Sequence, residues 1–140
     1  MSRDGAAARD AAASRATEGP PTLAGVRVLV VGDQVVVALD LARTLRDLGC
    51  AVLGPASDPA HALALLRRDR PDAVLLDLGP GGGLALPLAG AASAAGVALV
   101  LLGDRALEGS GLPLPPSTAW LDKPFGTADI RPALARLLGR

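Results

Sequence analysis

Short apolar runs that stop abruptly on glycine or an acid are what most restricts the fold of this chain. Val28 to Val31 run into Gly32-Asp33, Ala73 to Leu76 run into Asp77 and a Gly-rich turn, and Val97 to Leu102 run into Gly103-Asp104. Uninterrupted apolar runs of this length, bounded by turn residues, predict strands buried on both faces, as in parallel sheets covered by helices. The stretch DAVLLDLGPGGG, Asp72 to Gly83, is the central one, and it puts the Asp77 carboxylate at the carboxyl end of an inner strand. In open parallel sheets ligands bind at that edge, because the loops there leave a crevice where the strand order switches. Asp beside Gly and Pro also caps turns, so this stretch alone leaves both roles open.

The spacers between the runs read as helices. Ala38, Leu41, Leu45 and Leu48 share one helical face, Asp40, Arg43 and Asp47 face away, and Gly49 is placed to end the helix. Ala51 to Leu53 predict a short strand that Gly54-Pro55 breaks off. Asp58 before Pro59 is an N-cap with proline at the first helical position, opening a helix to about Arg68 that Pro71 closes. Leu84 to Ala95 predict a helix of Ala and Leu in which Pro87 is tolerable only in the first turn. The run LEGSGLPLPPS, with three Pro and two Gly, predicts a loop without a stable helix. Thr118 to Leu121 form a fifth strand, followed by Asp122-Lys123-Pro124-Phe125. The last helix is expected to start from an N-cap at Asp129, so that Pro132 falls in its first turn, and to reach Leu138. The sum is an α/β fold: a flavodoxin-like, doubly wound, five-stranded parallel sheet of order 2-1-3-4-5, its fourth helix short or missing.

With 140 residues and 50% hydrophobic content the chain supports one domain with one core. Residues 1–24, rich in Ala with scattered Arg, Asp and Glu, read as a flexible tail without a secretory signal core, and 25–140 as the domain. Lys plus Arg equals Asp plus Glu at 14 each, so no net field draws the chain to nucleic acid or to an anionic membrane. No apolar run reaches the ~20 residues of a membrane span. A single Cys, Cys50, excludes an internal disulfide framework and fits a reducing cytoplasm. It reads as a small buried apolar residue. His61, the only His, has no second His or Cys with which to share a metal and is expected to face solvent.

In the predicted strand order, Asp33 and Asp77 stand at the ends of neighbouring strands, and the fifth strand delivers Lys123. Carboxylates gathered at one edge repel unless a hard cation lies between them, and Mg²⁺ takes one or two carboxylates with waters and phosphate oxygens. An acidic pair with a nearby ammonium points to phosphoryl chemistry. From Val26 to about Leu138 the sequence resembles the receiver domains of bacterial two-component response regulators. The resemblance rests on VVGDQ, LLDLGPGGG and WLDKPF at the ends of strands one, three and five. It implies that Asp77 is the phosphoacceptor, loaded from a sensor histidine kinase or phosphotransfer protein. It also implies that Asp33, Asp77 and the backbone carbonyl of Gly79 hold Mg²⁺, that Lys123 pairs with a phosphoryl oxygen, and that the Lys123-Pro124 bond is cis. Such a domain is not an enzyme beyond self-catalysed phosphoryl transfer, and with nothing after Arg140 it is expected to stand alone and signal by binding a downstream protein.

The departures from the family are as specific. Gly32 replaces the first acid of the usual pair, so Mg²⁺ affinity should fall. Gly103 stands where a Ser or Thr hydroxyl usually bonds the phosphoryl group, which weakens the switch, and Asp104 adds charge nearby. Trp120 replaces the Tyr or Phe that swings between exposed and buried rotamers, and an ordinary core Trp explains it equally well. The alternative is therefore a degenerate pseudo-receiver, an interaction module independent of phosphorylation. A nucleotide or flavin binder using GPGGG as a phosphate cradle fits less well, because the run lacks the Lys-Ser or Lys-Thr of a P-loop. The apolar face of the last helix and the loop beside it could support a homodimer.

Overall fold

The computed structural model describes residues 23–77, 85–103, 116–121 and 127–139. In chain order the elements are β1 (Arg27–Val31), α1 (Val35–Asp47), β2 (Ala51–Ala56), α2 (Pro59–Asp69), β3 (Ala73–Asp77), α3 (Ala85–Ala95), β4 (Ala98–Leu102), β5 (Thr118–Leu121) and α4 (Thr127–Leu137). The strands form one five-stranded sheet in the order β2-β1-β3-β4-β5, and every pairing is parallel. This is the expected fold. The Pro-rich run expected to replace a helix lies mostly outside the described residues, and among those described no helix stands between β4 and β5.

Strand periodicity divides the core into two layers, since successive side chains leave opposite faces of the sheet. Val28, Val30 and Leu75 pack with Ala38, Leu41 and Leu45 of α1 and with Ile130 and Leu134 of α4. Leu29, Val31 and Leu76 pack on the other side with Leu65 and Leu66 of α2 and Leu88, Ala89 and Ala92 of α3. β3 and β4 are buried at every residue, which is why their sequences show no polar alternation. Each large aliphatic chain so buried contributes about 1.5–3 kcal/mol relative to exposure. Leu23, at 0% exposure, belongs to the first layer.

Two local expectations are corrected. Gly54-Pro55 does not end β2 but lies inside it. The register runs Leu53 with Leu29 and then Ala56 with Val31, so two residues of β2 oppose one of β1, a bulge. Gly54 is required there: its φ is +87, and a Cβ would stand 2.9 Å from the Ala56 nitrogen and 3.0 Å from the Val30 oxygen. Pro55, which follows a cis peptide bond, has no N–H for a ladder, and an edge strand tolerates that loss. The last helix begins at Thr127 rather than beyond Asp129, leaving Pro132 inside it. The missing N–H would have reached back only to Ala128, an exposed residue in the first turn where water can serve the carbonyl. Burial of Ile130, Ala133 and Leu134 along the same helix offsets that loss. The other helix signals hold, including Asp58, whose carboxylate accepts from the His61 N–H at 2.9 Å at the start of α2. Among the described residues no helix is long and apolar enough to cross a membrane.

Candidate functional site

Asp77 is the last residue of β3 and 1% exposed, the one charged side chain that is buried among the described residues. A carboxylate is costly to bury, and a core built only for stability would put an apolar residue there. Its position follows from register. On one side β3 pairs Leu76 with Val31, so Gly32 comes next along the edge; on the other it pairs Asp77 with Leu102, so Gly103 comes next. Asp77 therefore lies level with Gly32 on the β1 side and with Leu102 on the β4 side, with Gly103 one residue further along the edge.

Gly32 is buried, and its N–H donates to the Ala56 carbonyl at 3.0 Å. A Cβ on Gly32 would stand 3.1 Å from the Asp77 Cβ and 3.8 Å from its Oδ2. The absent side chain thus lets the end of β1 pack directly against the Asp77 side chain. Asp33, one residue on, is exposed. Gly103 has φ +146, a backbone region that side chains rarely adopt, and its N–H donates to the Leu121 carbonyl at 3.0 Å, holding the end of β4 to β5. Trp120 pairs in register with Leu101 and is 8% exposed, in the core layer it shares with α2 and α3. The structure thus places Asp77 against Gly32 at the carboxyl edge, with Asp33 exposed next in the chain, Gly103 at the same edge and Trp120 buried in the core.

Gly79, Asp104, Lys123 and Pro124 lie outside the described residues. Cys50 is buried at 6% exposure, as expected, and burial pushes its thiol pKa up. His61 faces solvent at the first turn of α2. No group of three or more His, Cys, Asp or Glu side chains comes together among the described residues. With Gly32 in place of an acid, the edge offers two carboxylates of hard oxygen donors, which is within what Mg²⁺ accepts when waters and phosphate oxygens complete its shell.

One feature escaped the sequence reading. Val35, Val36 and Leu39, at 62%, 81% and 54% exposure, form an apolar surface on the first turns of α1, directly after Asp33. The signal was available: none of the three belongs to the face carrying Ala38, Leu41 and Leu45.

No family model matches the chain. The transcriptional regulatory protein PdtaR of Mycobacterium tuberculosis is 31% identical over 118 residues, covering 81% of this chain and 57% of PdtaR. The chain thus spans little more than half the length of that relative. A response regulator receiver protein from Sinorhizobium medicae is similar in structure, with a TM-score of 0.69 and 29% identity over 84% of this chain and 98% of that one. The receiver domain of the sensor histidine kinase PA1611 from Pseudomonas aeruginosa, with a magnesium ion coordinated in its active-site cleft, gives a TM-score of 0.61. It is 27% identical, and the match covers 84% of this chain and all of that one (100%). Strand order, an acid buried at the end of the third strand and likeness across whole receiver domains agree: the chain belongs to the response-regulator receiver domains of bacterial two-component signalling.

Proposed function

We propose that this receiver takes a phosphoryl group on Asp77 from a histidine kinase or phosphotransfer protein and signals through protein contacts. The observation that carries the reading is the burial of Asp77 at the strand end, beside Gly32. An Asp77 oxygen attacks phosphorus in line, an acyl phosphate forms, the P–N bond of the donor phosphohistidine breaks, and its electron pair returns to the imidazole. Asp33, Asp77 and the Gly79 carbonyl would hold Mg²⁺, which supplies charge neutralisation at the phosphoryl oxygens when bound. The magnesium in the cleft of the PA1611 receiver supports magnesium as the ion. Lys123 would pair with a phosphoryl oxygen. Gly32 lets β1 and the Asp77 side chain approach closely, and its missing carboxylate removes one water-mediated metal contact. Val35, Val36 and Leu39 beside Asp33 suit docking of a donor with an apolar surface.

Two observations favour a second reading, a pseudo-receiver whose output does not depend on phosphorylation. Gly103 has no hydroxyl to follow the phosphoryl group, and Trp120 is already buried. Trp120 fluorescence, read while beryllofluoride and Mg²⁺ are titrated in, tests the two. A saturable change that needs Mg²⁺ and disappears in Asp77→Asn supports the acceptor site with a responding core. Binding of beryllofluoride by calorimetry without a fluorescence change supports an acceptor without a switch, and no binding at all refutes the proposal.

A further inference from the structure

At the edge of the sheet opposite Asp77 lies a cavity of about 780 Å³, between the ends of α2 and α3. Its origin is in the sequence of α3: Ala91, Ala94 and Ala95 are too short to fill the space beside α2. Leu66 and Val97 add an apolar floor, and the charged groups on its wall are Arg67, Arg70 and Asp72. The neighbouring charges are already used. The Arg27 guanidinium donates to the carbonyls of Asp69 and Arg70, closing the end of α2, and Arg68 pairs with Asp69 at 3.0 Å. The Asp72 carboxylate accepts the Arg27 backbone N–H at 2.9 Å. Arg67 and Arg70 are exposed, and among the described residues neither guanidinium has a hydrogen bond or an ion pair. Both favour the negative end of α2, but that end is already capped by Arg27, so the two forks remain free to bind.

We infer that this cavity is a binding site for a small anion with an apolar body, its carboxylate or phosphate ester held by Arg67 and Arg70 and its body against Leu66, Ala91 and Val97. The volume lies within the ~300–1,000 Å³ of small-molecule sites, and the lining, half open to solvent, joins apolar and polar groups in similar measure. Guanidinium is the side chain best matched to a planar or tetrahedral oxyanion, through paired N–H bonds. The site is separate from Asp77 and does not depend on its phosphorylation.

Calorimetric titration of the full chain with phenyl phosphate, benzoate and inorganic phosphate tests the inference. The two aromatic anions distinguish an ester phosphate from a carboxylate, and inorganic phosphate measures the charge alone. One-site binding of an aromatic anion, tighter than that of inorganic phosphate, is expected. It should weaken about tenfold or more in Arg67→Gln/Arg70→Gln and be unchanged in Asp77→Asn. Both arginines are exposed, so the double variant keeps the fold, which circular dichroism checks. Absence of saturable binding, equal affinity in the double variant, or loss of binding in Asp77→Asn would overturn the site. The last outcome would place the anion at the carboxyl edge and leave the phosphoacceptor reading standing.

Discussion

Replacing Gly103 by threonine restores the hydroxyl that receivers usually carry there, and the backbone predicts that it destabilises the domain rather than repairing the switch. At φ +146 a side chain stands in a region that is nearly exclusive to glycine, and holding a residue in such a region costs about 1–3 kcal/mol. A stiffer unfolded chain returns ~0.4–1 kcal/mol of this, leaving a net cost of roughly 1–2 kcal/mol. The backbone cannot relax freely, because the Gly103 N–H is bonded to the Leu121 carbonyl at 3.0 Å and ties β4 to β5. For a domain of this size the loss corresponds to a fall in Tm of roughly 4–8 °C. Thermal and urea unfolding, followed by Trp120 fluorescence, would measure it. Gly103→Ala, with the same strain and no hydroxyl, should lose a similar amount. A Gly103→Thr protein as stable as the parent, with a Trp120 signal that newly responds to beryllofluoride, would refute the reasoning.

Other predictions concern the frame around the site. Gly54→Ala adds a Cβ 2.9 Å from the Ala56 nitrogen at φ +87 and should cost about 2 kcal/mol or more, seen as a lower urea midpoint at unchanged m-value. Asp58→Ala removes the acceptor for the His61 N–H at the start of α2 and should cost about 1 kcal/mol, while Asp58→Asn should recover most of it in the same titration. Cys50, 6% exposed and with its pKa raised by burial, should react with a thiol reagent at neutral pH only after opening of the fold. Its rate should approach that of a free thiol in denaturant; an equal rate in native buffer would contradict its burial.

The sheet was legible because β1, β3 and β4 are buried on both faces and carry unbroken apolar runs that end on Gly or Asp. Strand order then followed from alternation with helices, and with it the placement of Asp33 and Asp77 after neighbouring strands at the same sheet edge. Local breaker rules failed where tertiary packing overrode them. Gly54-Pro55 looks like a strand end, yet at a sheet edge it is absorbed as a bulge. Pro132 looks incompatible with a helix from Thr127, yet only one exposed first-turn carbonyl loses its donor. The lost carboxylate at Gly32 and the lost hydroxyl at Gly103 were visible, but their backbone setting was not. That Gly32 abuts the Asp77 side chain and that Gly103 adopts a glycine-favouring φ depend on register and backbone angle, which composition does not encode. The cavity between α2 and α3 was likewise hidden, since it arises from what short alanine side chains fail to fill across two helices.

The most direct test of the central claim is the intact mass of the full chain after incubation with acetyl phosphate, with and without Mg²⁺, in parent and Asp77→Asn proteins. A gain of one phosphoryl group that requires Mg²⁺ and Asp77 is predicted, with hydroxylamine removing it as expected for an acyl phosphate. No gain in folded parent protein, or an equal gain in Asp77→Asn, would contradict the assignment of Asp77 as phosphoacceptor.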